Sequence, residues 1–304
     1  MTLLLYVATV LIWGTTWIAI SAQTGEVAAP VSVFYRFLLA AVVLLAVLRV
    51  SGRLKPFTLR EHGLCVLQGM CVFCFNFYCF YVANHYINSG LESVLFSMAI
   101  LFNALNGVFF LGQRITRKLM CANALGLIGI ICLFWRDLNP ADMQPQVLLG
   151  IGLCLLGTYG FSLGNMISAR HQRAGRDLLS SNAYAMTYGA LTMLVVILLQ
   201  GQSFAIDPRP VYWGALVYLS VFGSVIAFGT YFALVGRIGA GQAAYATVLF
   251  PIVALTISTL FEGYVWSASA FIGLALILGG NVVMFYQPKR YKAATQSTVS
   301  VKPA

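Results

Sequence analysis

Tyr231 to Glu262 reads YFALVGRIGAGQAAYATVLFPIVALTISTLFE, and 150 residues earlier Tyr81 to Gly112 reads YVANHYINSGLESVLFSMAILFNALNGVFFLG. Laid over each other without a gap, the two stretches match Tyr81 with Tyr231, Ala83 with Ala233, Ala104 with Ala254 and Leu105 with Leu255. The shared order of parts says more than the identities. In each, an apolar helix ends, a short polar turn follows, and a second apolar helix begins with an acid or amide in its first turn, Glu92 in one and Gln242 in the other.

Hydrophobic residues make up 60% of the 304 and charged residues 9%, where a soluble domain carries roughly a quarter charged. So little charge cannot cover a water-facing surface. Nearly all of it falls between apolar runs of about 20 residues, the length that spans a bilayer. Ten such spans emerge, at 2–21, 31–50, 63–83, 90–111, 119–135, 147–168, 181–200, 211–235, 240–261 and 266–286. The first lacks a basic leader and a convincing cleavage site and reads as a retained helix.

Fifteen of the 18 Lys and Arg lie in loops two, four, six and eight and in the tail, against Arg136 and Arg209 in the alternate loops and Arg36 inside a span. Basic loops stay on the cytoplasmic side, so both termini are expected there, and the net charge of +10 follows from topology without invoking nucleic acid. Five spans per half is an odd number, so the second half enters the membrane from the opposite face. The expected fold is an all-α polytopic membrane protein of ten transmembrane helices in two inverted five-helix repeats, residues 1–136 and 146–287, with a disordered cytoplasmic tail at 288–304. Such repeats place a solute site near the midplane between the halves.

Several chemistries are excluded. The seven cysteines lie inside apolar runs and are odd in number, which suits packing rather than a disulfide framework. Cys71-x-x-Cys74 has zinc spacing, but none of His62, His85 and His171 is expected within a helix core to complete a site. Gly160-Phe161-Ser162-Leu163-Gly164 fits a nucleophile-elbow pattern, yet it sits in an apolar helix with no base placed beside it. No phosphate-loop motif exists. The reading is therefore not an enzyme: no catalytic residues, no metal and no cofactor.

The chain resembles the drug/metabolite transporter superfamily, specifically its bacterial EamA-type ten-helix members. Trp13-Gly14, Arg36-Phe37, Gly112-Gln113-Arg114, Pro251 and Glu262 carry the likeness. Members often have Gly-Glu where Gly112-Gln113 stands and a proline where Leu101 stands. The resemblance implies secondary transport of small organic metabolites across the inner membrane, often export, with amino acids prominent.

Within the spans, Glu92 is the acid of most interest. It reads as a gate or proton-coupling group, or as half of a Ser89-x-x-Glu92 capping box. At 100° per residue Asn103 and Asn106 fall close to its face with Phe96 and Phe110, while Gln242, Tyr245 and Thr256 share a face in span nine. Such stripes suit a cavity wall or an interhelical hydrogen bond. Trp13 and Trp17 stack on one face of span one, and Asn76, Tyr78, Tyr81, Tyr159, Ser162, Asn165 and Tyr231 are further cavity candidates. Arg36 could snorkel, or neutralise Glu92 or a substrate carboxylate; a structural charge partner is the favoured role.

With only Arg36 cationic inside the spans, a neutral or zwitterionic solute fits better than a sugar phosphate. Alternating access between gates near Glu92 and Gln242 is the expected mechanism, driven by proton antiport or by uniport. Uptake or facilitated exchange of another neutral metabolite or drug, a channel, and a non-transporting scaffold are the other readings. The glycine-rich spans suit internal packing and a homodimer alike.

Overall fold

A computed structural model describes residues 2–112, 116–135, 145–231 and 246–285. Gln113, Arg114, Gln242, Tyr245 and the tail lie outside the described residues. Helices occupy the described part of every predicted span: α1 (Thr2–Gln23), α2 (Ala29–Val50), α3 (Leu59–Ala83), α4 in two pieces (Ser89–Phe96 and Ala99–Leu111), α5 (Arg117–Leu133), α6 (Pro145–Arg173), α7 (Leu178–Leu199), α8 (Pro210–Tyr231), α9 (Ala246–Phe261) and α10 (Ala268–Phe285). Seven of them, α1 to α4 and α6 to α8, are long and apolar enough to cross a membrane. Large apolar side chains such as Leu3, Val42, Phe109, Leu199 and Phe271 are exposed on the outside, where only lipid can be their solvent. The chain is a multi-pass membrane protein.

Local chemistry fixes the helix ends. Thr58 and Glu61 form a capping box that starts α3 at Leu59, ahead of the predicted residue 63, because the paired side chains satisfy free N–H groups one turn earlier. Asp177 accepts from Ser180 N to start α7. Gly52, Gly112, Gly175, Gly201 and Gly263 follow α2, α4, α6, α7 and α9 with φ between 63° and 70°, a left-handed conformation that closes a helix and favours glycine.

The halves pack with internal two-fold correspondence. Helix α1 lies on α8 and α9 as α6 lies on α3 and α4; α2 meets α7 and α8 as α7 meets α2 and α3; and α5 pairs with α10. Small residues let the last pair approach closely. A Cβ on Gly273 would fall 2.6 Å from Gly129 O.

A second correspondence was not readable beforehand. Helix α3 widens into π geometry over Gly69–Asn76 and α8 does so over Tyr218–Ile226. These stretches occupy matching places at the 150-residue offset of the echo. Such i→i+5 turns occur mostly at functional sites, and both π stretches contribute residues to the cavity described below.

The bundle has two distinct ends. At one, the turns after α2 and α6 and the helix ends beside them carry Arg49, Arg53, Lys55, Arg60, Arg170, Arg173 and Arg176, and Arg176 pairs with Glu61. At the other, Arg209 grips Asp207 through Nη2 at 2.6 Å and donates to Thr24 O at 3.2 Å. The Arg209 bonds to Asp207 hold its carboxyl below the ordinary carboxylate value, and the bond to Thr24 O ties the turn before α8 to the turn after α1.

Candidate functional site

A cavity of about 380 Å³ lies where α1, α2, α3, α4, α6, α7, α8 and α9 converge, a size suited to a small organic ligand. Its wall is mainly apolar, with ten aromatic side chains among the described lining residues. Trp13 packs against Phe228 and Tyr231 with centroids at 5.6 and 5.2 Å, while Trp17 meets Phe80, Phe96 and Phe250 at 5.1, 5.6 and 6.2 Å. The tryptophans, four residues apart, thus anchor two separate aromatic clusters. Polar groups interrupt this wall at Thr16, Gln68, Asn76, Ser97, Asn103, Asn165 and Asn182, and Ser168 and Gln172 carry it towards the basic end.

Arg36 is the one cation among the described lining residues. It is 2% exposed, so it does not snorkel. No carboxylate of the described residues, Glu92 included, lies within ion-pair distance of it. Its guanidinium sits 4.4 Å from the Phe77 ring centroid and 5.3 Å from that of Phe37, which offsets part of the cost of burying charge. Nε and Nη1 have no hydrogen-bond partner. Helix α8 buttresses the spot, with Ser220 Oγ donating to Arg36 O at 3.0 Å.

At the end opposite the basic loops, the bundle is drawn together by carboxylates. Glu262, just after α9, accepts from Ser21 Oγ of α1 at 2.7 Å, from Ser89 N and Oγ of α4 at 3.1 and 2.8 Å, and from Ser258 Oγ at 2.6 Å. Asn84 donates to Ser21 Oγ and to Glu92 Oε2, at 2.9 and 3.2 Å. One network therefore joins α1, the turn after α3, α4 and α9. Glu92 itself is fully buried, and its Oε1 has no partner.

The geometry corrects the capping reading of Ser89 and Glu92. Asn88 caps α4, accepting from Leu91 N at 3.0 Å, and Ser89 spends its N–H and hydroxyl on Glu262. The polar stripe is corrected as well. Helix α4 breaks at Ser97 and Met98, although Leu101 replaces the proline common in the resembled proteins, and the break ends the 100° phase on which the stripe rested. Asn103 lines the cavity, Asn106 is buried with its amide donating to Ser162 Oγ at 2.8 Å, Glu92 stands at the tied end, and Phe110 is 60% exposed on the outside.

Of the other candidates, Trp13, Trp17, Arg36, Asn76, Phe96, Asn165 and Tyr231 line the cavity. Tyr78, Tyr81, Tyr159, Ser162 and Thr256 are not among its lining residues. Tyr81 donates to Gln23 Oε1 at 2.7 Å, Tyr159 packs against Phe102 and is 41% exposed, and Thr256 is exposed with its hydroxyl bonded to Ile252 O. Tyr245 and Gln242 lie outside the described residues. The histidine reading also changes: His62 sits in α3, and His171 is buried in α6 with Nε2 3.7 Å from Cys65 Sγ. Among the described residues no three His, Cys, Asp or Glu gather as a metal group would require.

Gln68 and Asn182 were missed, though amides inside apolar spans signal a polar interior. Phe73, Phe77, Phe80, Phe228 and Phe250 were missed because an apolar residue facing a cavity looks in sequence like one facing a helix.

Relatives place this architecture in context. The chain is similar to the uncharacterized transporter YetK of Bacillus subtilis, 26% identical over 271 residues, covering 87% of this chain and 81% of that one. It is similar to a probable amino-acid metabolite efflux pump of Salmonella typhimurium, 25% identical over 284 residues, covering 89% and 90% of the two chains. A crystal structure of another protein shares the fold, with TM-score 0.65 at 18% identity over 93% of this chain and 96% of the other. The EamA-like transporter family model matches residues 1–135 and again 148–286, so the chain belongs to that family.

Proposed function

We propose that the protein is a secondary transporter that exports a small organic metabolite, such as an amino acid, across the inner membrane by alternating access. The carrying observation is the aromatic cavity at the junction of the halves, extending towards the basic end while the Glu262 network ties the other. Basic loops favour the cytoplasmic side, so both termini are cytoplasmic and the arrangement is inward-facing. A solute enters from the cytoplasm, settles among Trp13, Trp17, Phe96 and Phe250, and leaves when the Glu262 ties part and the basic end closes. The efflux pump among the relatives supports the direction and the amino-acid class.

Counterflow in proteoliposomes tests this. Vesicles preloaded with one unlabelled amino acid or metabolite from a panel should accumulate its labelled form transiently and saturably. Absence of counterflow for the whole panel, or flux that never saturates, would sink the carrier reading in favour of a scaffold or a channel.

A further inference from the structure

Resting on that reading but separable from it, we infer that the cavity recognises a carboxylate attached to an apolar or aromatic group, and that Arg36 is the carboxylate-binding residue. A guanidinium does not shed its proton in a protein, and a buried charge is tolerated where an opposite charge or several hydrogen bonds meet it. Arg36 is 2% exposed, lines the cavity and has two nitrogens without partners. Among the described residues no acid pairs with it. Tyr81 is a further neighbour of the guanidinium, but a neutral phenol and two aromatic rings supply no counter-charge and leave Nε and Nη1 without acceptors. The missing anion is therefore supplied by the ligand.

The rest of the wall narrows the class. No Asp or Glu is among the described lining residues, so a cationic ligand finds no counter-charge. Neutral acceptors are present instead. Asn76 Oδ1 and Gln68 Oε1 are buried without partners, and the Gln68 amide donates to Asn182 Oδ1 at 3.1 Å. They suit an amino or hydroxyl group on a ligand whose carboxylate is held elsewhere. The ring of Trp17 and its neighbours Phe96 and Phe250 provides the apolar contact that a free inorganic anion could not use. A monocarboxylate with an apolar body satisfies all three features, with or without an amino group.

The test measures binding to the purified full chain in nanodiscs for 3-phenylpropionate, phenylalanine, phenylethylamine, 3-phenylpropanol, acetate and chloride. Phenylpropionate and phenylalanine should bind at least about tenfold more tightly than phenylethylamine, acetate or chloride, the size of one charge-assisted hydrogen bond. Arg36→Gln should weaken phenylpropionate by at least about tenfold and change phenylpropanol by less than about twofold. Arg36→Lys, which keeps the charge and loses the fork, should fall between. The inference is overturned if no carboxylate probe binds, if phenylethylamine or acetate binds wild-type protein as well as phenylpropionate does, or if Arg36→Gln leaves phenylpropionate unchanged. Should Arg36→Gln fail to fold, the wild-type probe series decides alone. Binding that passes these tests without counterflow would refute transport and leave the carboxylate site standing. Counterflow of an uncharged solute indifferent to Arg36 would do the reverse.

Discussion

Replacing Glu262 by alanine should release the tied end of the bundle. The carboxylate gathers four donors from α1, α4 and the end of α9: Ser21 Oγ, Ser89 N, Ser89 Oγ and Ser258 Oγ, all within 3.1 Å. A hydrogen bond to a charged group contributes about 1.5–3 kcal/mol. The four cannot be summed, because the hydroxyls can find other acceptors or water once Glu262 is gone and because residues in one network are not additive. Ser258 lies on the same helix as the acid, so its bond does not resist separation. The bonds from Ser21 and Ser89 cross between elements, and one to two bonds' worth gives about 2–4 kcal/mol favouring closure, or about 30-fold to 1,000-fold in the equilibrium. The assay is labelling of a single cysteine at Ala99, a cavity position, in a background without the seven native cysteines. A membrane-impermeant maleimide is applied to right-side-out vesicles. Labelling from outside should rise at least about tenfold in Glu262→Ala. An unchanged rate would refute the idea that this network holds the end shut, and a fall would show that Glu262 stabilises the open form.

Three other perturbations separate parts of the argument. Glu92→Gln retains the shape beside Asn84 while removing the ionisable group; if Glu92 carries a coupled proton, the variant loses the pH dependence of transport and the ability to concentrate solute in liposomes, and unchanged behaviour rules Glu92 out as the coupling group. Gly273→Ala should cost about 1–3 kcal/mol through overpacking against α5, whereas Gly279→Ala on the same helix, with nothing within 4 Å of its new Cβ, should melt in detergent like the wild type; equal melting of both variants would refute the close α5–α10 contact. Asp207→Asn should lower the unfolding temperature at neutral pH: Arg209 depresses the folded carboxyl's pKa, so its contribution is present above the ordinary value of about 4 and is lost as pH falls through the folded value. The gap between variant and wild type should close in acid, and a pH-independent gap would show that packing, not charge, is responsible.

The helices were legible because membrane solvent imposes a simple code, long apolar runs with charge confined to the turns. Their ends were less legible where one pair of side chains moved them, as Thr58 and Glu61 did. The cavity was legible only in its unusual members. Trp13, Asn76, Asn103 and Asn165 stood out as large aromatics or amides in apolar helices, but Phe80 and Phe250 carried no mark separating cavity from core. The largest error came from extrapolating one helical phase through α4. Its break at Ser97 and Met98 has no proline to announce it, and the buried hydroxyl of Ser97, donating to Val94 O at 2.6 Å, is too common an arrangement to be read as a signal.

What the halves share and what they do not suggests a division of labour. Packing partners and the two π stretches follow the repeat, the internal symmetry on which the proposed alternating access relies. The chemistry does not follow it. At the same 150-residue offset Arg36 falls on Met186, Trp13 on Leu163 and Glu92 on Gln242. A symmetric frame with a symmetric wall would offer a solute the same grip from either half and no reason to prefer one orientation. Among the described cavity residues the cation and both tryptophans belong to the first half, so in the proposed mechanism a carboxylate held by Arg36 would keep one partner while the second half moves around it. In that mechanism the two open states would differ in which gate closes behind the solute rather than in how the solute is held, and the unequal ties at the two ends would set which state is favoured when no solute is bound.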